Sequence, residues 1–287
     1  YTYDNNNHVT SAVVQGYGCS CGGATGQGTY QYSWAAPGSV GDPLTTNVYN
    51  TAWETVTETE PDGSTTRTIT TNVYQEVLSD SYAVPNGGPS SATAYSYDSQ
   101  GRQSTVTMPN GVIDTYIYSN GYESEIDQSG PSGSQPVEAF TYTTQTVAGS
   151  GNTPTQSVTL VATDTLYGGT SYGDPRTTSY TYVFATVNGN PTTRVQVMST
   201  TLPQIGGGQN GSGANQVQVE YFDSLGRVVW GQDPDKHFSY TAYDVGTGAV
   251  SQTIGDVNYN SLGTTLQQSF TTAAAAVNAL MGANFWT

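Results

Sequence analysis

Counted from Asp98, Gly101 lies at +3, Arg102 at +4, Pro109 at +11 and Tyr118 at +20. Counted from Asp223, Gly226, Arg227, Pro234 and Tyr243 fall at the same offsets. Five residue types in one register over a 20-residue span mark an internal repeat. The period is 21 residues, from Tyr97 to Tyr118 and again from Asp223 to Asp244. A unit this short cannot bury its own apolar surface, so the chain must stack like units against one another.

Each unit has a direct physical reading. Tyr95 and Tyr97, then Tyr116 and Tyr118, are two apart and share one face of an extended strand. Asp98 to Gly101 is a turn, in which the carboxylate accepts from nearby backbone N–H groups and Gly supplies a positive φ. Pro109-Asn110-Gly111 is a second turn. Strand, turn, strand, turn at this spacing predicts an antiparallel meander.

The pattern YxYDxxGR, a PDG-like turn and a further YxY resembles the YD-repeat, or Rhs-repeat, family. It is specific in the copies at Asp98 and Asp223 and degraded over most of the remaining chain. The resemblance implies hairpins wound side by side into a long spiralling sheet. In toxin-associated members that sheet closes into a hollow shell; in others it forms extracellular cell-surface modules, some with carbohydrate binding ascribed to them. The self-cleaving segment that trims the toxin shells is not recognisable here.

Only 35% of the residues are hydrophobic, a level that would suggest disorder were it not for 22 Tyr, 6 Phe and 4 Trp. Tyr and Thr in alternation make β-structure with little aliphatic core. The net charge of −16 rests on 22 acidic against 6 basic residues, with no basic stripe. Nucleic-acid binding is therefore excluded as an expectation, and anionic membrane surfaces are disfavoured. No 18-residue apolar run is present, so no membrane span is expected. The chain opens inside a worn repeat, YTYDNNNHV, so we expect a processed or excised piece whose targeting signal lies upstream.

These readings predict an all-β fold of antiparallel β-hairpin repeats in a spiralling, solenoid-like sheet. The repeat region covers 1–270, with looser insertions at 15–29, 129–154 and 206–215. In the 50–74 stretch, arms on either side of Pro61-Asp62-Gly63 make the clearest hairpin, its return strand reaching Tyr74. Asn188-Gly189 signals a type I′ turn. Residues 271–287 form a C-terminal segment with one short Ala-rich helix, from about Thr272 to Met281.

Few residues invite a chemical role. Cys19 and Cys21 are the only cysteines; a local disulfide or a loop thiol pair is the favoured reading over metal binding or an intermolecular bond. Asn210-Gly211-Ser212 is a formal glycosylation acceptor. His8 and His237 have no sequence-local partner resembling a triad. Asp62, Asp98, Asp223, Asp235 and Asp244 sit in turns, where carboxylates serve as backbone acceptors. The tyrosine stripe is read as structural, and Arg102 and Arg227 as partners in a salt bridge or stack within the repeat. We therefore expect no enzyme and no cofactor. The expected function is a secreted or cell-surface scaffold, with self-association into a filament or surface layer. A carbohydrate-binding adhesion module and a fragment of a toxin-encapsulating shell are the alternatives, with glycans as partners in the first.

Overall fold

The structure, a computed structural model, describes residues 1–15, 27–35, 48–61, 63–83, 90–130, 133–149, 154–168, 173–206, 208, 211 and 213–258. Cys19, Cys21, Asp62, Asn210 and the expected helix at 272–281 lie outside these residues. The chain forms two units, Tyr1–Pro136 and Val137–Thr287.

The first unit is an antiparallel meander. Its strands are β1 (Thr2–Tyr3), β2 (Val9–Gln15), β3 (Gln27–Ala35), β4 (Glu54–Thr59), β5 (Thr66–Thr71), β6 (Val77–Ala83), β7 (Ser91–Tyr97), β8 (Gln103–Thr107), β9 (Ile113–Ser119) and β10 (Tyr122–Gly130). Each pairs with the next in sequence. The second unit repeats the plan with β11 (Gly133–Val147), whose first residues precede the unit boundary, and then β12 (Gln156–Gly168), β13 (Asp174–Val187), β14 (Asn190–Leu202), β15 (Gln216–Phe222), β16 (Val228–Gln232), β17 (His237–Tyr243) and β18 (Val250–Asn258). Here too every strand is antiparallel to its successor. The expected all-β fold of hairpin repeats is the fold observed.

Alternation along the strands sorts side chains onto two unlike faces. Registers across β3 to β8 line up Ser33, Thr57, Thr68, Ser81 and Ala92 in one row, and Ala35, Thr55, Thr70, Ser79, Ala94 and Thr107 in the next. These two rows carry only small side chains, tied across strands by hydroxyl pairs such as Thr55–Thr70 at 3.2 Å and Thr57–Thr68 at 3.3 Å. The opposite face holds Trp34, Val56, Ile69 and Asp80 in one row and Tyr32, Glu58, Arg67 and Tyr82 in the next. Burial, with Glu58 beside it, pushes the Tyr32 hydroxyl up to about 12, so it stays a protonated donor.

Among the described residues, buried side chains are few. They include Ala12, Val48 and Asn72 in the first unit and Ala185, Tyr221, Asp223, Val229 and Phe238 in the second. Tyr221 and Val229 form the centre of the second unit's small cluster, against Val197, Val219, Trp230 and Tyr243. Stability must therefore come from ladder hydrogen bonds, cross-strand pairs and the turns.

Two local details differ from the sequence reading. The hairpin around Pro61 is shorter than expected: β5 stops at Thr71, and Tyr74 belongs to the next turn. The stretch 129–136, read as a loose connection, lies largely in β10 and β11. By contrast, Asn188 and Gly189 have φ of 51° and 78°, both positive, as the type I′ turn requires.

Candidate functional site

The repeat residues converge on one recurring arrangement at the hairpin ends. In the copy at Asp98, the Asp98 N–H donates to the Arg102 carbonyl at 2.8 Å and the Gly101 N–H to the Asp98 carbonyl at 3.1 Å. This is a three-residue loop, and Gly101, at φ 79°, occupies its left-handed position. Asp98 Oδ1 accepts the N–H groups of Gln100 and Arg102, at 2.8 and 3.0 Å. Its Oδ2 accepts from Arg102 Nε at 2.8 Å and from the same guanidinium's Nη2 at 2.6 Å. The guanidinium then lies 4.2 Å from the centre of the Tyr118 ring, and the Tyr118 hydroxyl donates to the Gln103 carbonyl at 2.8 Å. One carboxylate thus shapes the loop and aims the arginine, and the arginine holds the tyrosine of the following strand.

The copy at Asp223 has the same geometry. Oδ1 accepts from the N–H groups of Leu225 and Arg227, and Oδ2 from Arg227 Nε at 2.8 Å and Nη2 at 2.7 Å. Arg227 lies 4.2 Å from the Tyr243 ring centre, and the Tyr243 hydroxyl donates to the Val228 carbonyl at 2.9 Å. Asp223 is only 2% exposed, so here the charge pair is partly withdrawn from water.

Two more copies have different residues in the same roles. In the first, Asp4 Oδ1 accepts from the N–H groups of Asn6 and His8, and Oδ2 lies 3.1 Å from His8 Nδ1. Asn7 takes the left-handed position at φ 65°. Trp34 replaces the tyrosine: His8 stacks on it, and its indole N–H donates to the Val9 carbonyl at 2.8 Å. In the second, Asn72 Oδ1 accepts from the N–H groups of Tyr74 and Glu76, and its Nδ2 donates to Glu76 Oε2 and to the Tyr49 carbonyl. Gln75 has φ 65°, and the Tyr97 hydroxyl donates to the Val77 carbonyl at 2.8 Å. Asp233, Lys236 and His237 supply a partial copy, with Lys236 at φ 66° and the Asp233 carboxylate 3.2 Å from His237 Nδ1.

The turn read at Pro109-Asn110-Gly111 is present, with Gly111 at φ 81°, and follows the same hydrogen-bond plan. Around Pro109 the Met108 N–H donates to the Val112 carbonyl and the Gly111 N–H to the Met108 carbonyl, and around Pro234 the Asp233 N–H donates to the His237 carbonyl and the Lys236 N–H to the Asp233 carbonyl, the same two bonds as at Asp98. The sequence reading missed Asn72, Gln75, Glu76 and Trp34. The one signal for the Asn72 copy was an Asx residue followed four positions later by a charged one.

Electrostatics at these turns favours fixed charge over proton transfer. Burial raises the Asp98 carboxyl, but hydrogen bonds from Arg102 and the loop N–H groups outweigh it and leave it below the usual carboxylate range. Backbone bonds from the His8 N–H and the His237 N–H lower Asp4 and Asp233, and the Thr247 hydroxyl lowers Asp244. Each is an ionised acceptor in place. Among the described residues, no group of three or more His, Cys, Asp and Glu side chains converges to hold a metal ion, and no helix is long and apolar enough to cross a membrane.

No protein-family model matches the chain, and no curated protein matches it either. Among solved structures it is similar to the crystal structure of TcdB2-TccC3-TEV, at 15% identity and a TM-score of 0.48 over 89% of this chain and 12% of that one. It is also similar to the Photorhabdus luminescens Tc holotoxin pore carrying the TccC3 D651A mutation, at 13% identity and a TM-score of 0.46, over 80% of this chain and 10% of that one. The chain thus spans about a tenth of the length of the solved chains it resembles.

Proposed function

We propose that this chain is a non-enzymatic, extracellular scaffold segment built of YD-type repeats, acting as the subunit of a filament or surface layer. The observation that carries this reading is the recurrence of the turn arrangement. At these turns the Asp, Arg, His and Tyr side chains that could supply acid, base or nucleophile chemistry are engaged in holding loop to strand. A general base needs access to its substrate and a titration range near working pH, and these lowered, bonded carboxylates offer neither.

A meander that adds strand after strand also has no internal rule for stopping. Self-pairing of strand edges between copies is the natural mode of assembly, and a head-to-tail contact that does not close propagates as a fibre. Electron microscopy and sedimentation of natively isolated protein, without refolding, test this. Regular fibres, tubes or sheets are the expected result. A strictly monomeric, dispersed species at high concentration overturns the filament reading, and a specific hit on a glycan array would redirect it to adhesion.

A further inference from the structure

Of the five arginines, four face a carboxylate: Arg67 with Asp80, Arg102 with Asp98, Arg176 with Asp174 and Arg227 with Asp223. Arg194 in β14 has no carboxylate partner among the described residues. Its Nη1 donates to the Ser224 backbone carbonyl at 3.1 Å, which ties it to the tip of the Asp223 loop while leaving its charge uncompensated. In a chain with a net charge of −16, an uncommitted guanidinium is a distinctive local feature.

Arg194 stands beside a cavity of about 450 Å³ walled by Leu160, Tyr182, Val195, Met198, Phe222 and Leu225. That volume falls in the range of small-molecule sites, and the wall has their usual character, apolar with one oriented polar group. Two features show the wall is held in place. Tyr182 and Met198 are cross-strand partners, and the Tyr182 hydroxyl is engaged with the Val161 carbonyl at 2.7 Å, so the ring offers the cavity its apolar part. Leu225 is 74% exposed, yet its N–H is bonded to Asp223 Oδ1, so the loop fixes an apolar side chain at the mouth where the fold itself gains nothing from it. Asp223 also borders the cavity, but its carboxylate is buried and matched by Arg227.

We propose that this cavity binds a small amphiphile, with an apolar body against Tyr182, Met198, Phe222 and Leu225 and a single carboxylate on Arg194. Charge complementarity selects the head group: the chain is strongly acidic overall, and Arg194 is the one cation among the residues lining this cavity, so the contact with it is what favours an anion here. The apolar wall selects the body.

The test is a fluorescence titration of the whole chain with 8-anilinonaphthalene-1-sulfonate as probe, followed by competition with dodecanoate, dodecanol and 1-naphthoate. Saturable binding is expected, with dodecanoate or naphthoate competing better than dodecanol by about fivefold, as one exposed charge pair allows. Preference for dodecanoate indicates an aliphatic ligand, and preference for naphthoate an aromatic one. Arg194→Gln should abolish the advantage of acid over alcohol while leaving dodecanol competition unchanged. Leu225→Ser, at an exposed position that cannot disturb folding much, should weaken all competitors. Equal competition by acid and alcohol in the unmodified chain, or binding unaltered in both variants, overturns the proposal. Competition by an apolar peptide in preference to every small molecule would also overturn it, in favour of a protein partner.

Discussion

Trp34 stands to His8 as Tyr118 stands to Arg102. The two rings of the first pair stack at 4.5 Å with 21° between their planes, while the indole N–H reaches the Val9 carbonyl, five residues beyond Asp4, as the Tyr118 hydroxyl reaches Gln103, five beyond Asp98. Aromatic donor and cationic partner have both been exchanged, and the connection between strands survives. The hydrogen bond can be isolated by Trp34→Phe, which keeps most of the ring surface and removes the donor. It should cost about 1 kcal/mol, and hydrogen exchange of peptides covering β2 and β3 should accelerate accordingly.

The two consensus copies differ in exposure, and their response to loss of arginine should differ with it. Arg227→Met leaves Asp223, 2% exposed, without its partner, and should destabilise the second unit by about 3 kcal/mol. Arg102→Met leaves a carboxylate whose side chain is 25% exposed, which water can serve, and should cost about 1 kcal/mol. Denaturant unfolding of the two variants checks the order; equal losses would show that burial of the pair does not matter.

The left-handed positions give a second ordered set. Gln75→Gly and Lys236→Gly should each stabilise by about 1 kcal/mol, because a non-glycine residue there is held in a disfavoured conformation. Gly101→Ala should be worse than Gly226→Ala. A Cβ at 101 would come within 2.6 Å of Tyr49 Cε1, whereas at 226 nothing lies within 4 Å. Melting temperatures measured on the four variants provide the comparison.

Acid sensitivity should come from opposite signs on two strands of the first unit. Hydrogen bonds from Arg67 hold the Asp80 carboxyl below its ordinary 3.8, against the opposing effect of burial. The unfolded chain therefore takes up the proton first. Asp80's contribution is complete above 3.8 and disappears as pH falls through the lowered folded value. Glu125 behaves in reverse. Burial, then the neighbouring charge of Asp127 and a hydrogen bond shared with it, raise its carboxyl above 4.5, so its favourable contribution is present below 4.5 and lost as pH rises through the folded value. Unfolding of Asp80→Asn should lose part of the acid-limb slope, and Glu125→Gln should gain stability near neutrality but not at low pH.

The physical basis of legibility differs from copy to copy. Asp98, Gly101, Arg102 and Tyr118 announce their arrangement because each role is filled by the residue type that fills it best: a short acceptor, a residue free of Cβ, a planar fork and a ring with a donor. The Asn72 copy was hidden because three of those roles are filled by substitutes. Asn72 donates to Glu76 where Asp98 accepts from Arg102, and Gln75 tolerates the conformation that glycine adopts freely. Polarity is reversed, but the number of bonds is kept, and a pattern of residue types cannot show that. Pro109-Asn110-Gly111 was legible as a turn for a like reason, since proline fixes its own φ and Gly111 takes the positive one, at 81°. The Arg194 cavity was invisible because Leu160, Tyr182, Met198 and Phe222 come one each from the four successive strands β12 to β15, and only the registers between those strands bring them together.

The aromatic donors of the turn arrangement tie each loop to an adjoining strand. Four of its tyrosine or tryptophan donors bond to a carbonyl on an adjacent strand, so the bonds of a hairpin contain no reference to how many hairpins precede it. A gene for such a wall can lengthen or shorten by whole units without a new interior having to be invented at each step, and a worn copy is tolerated because its neighbours do not read its letters, only its bonds. Length in this architecture is thus an inherited variable separable from stability, and lineages should differ in the count of hairpins more readily than in the form of any one.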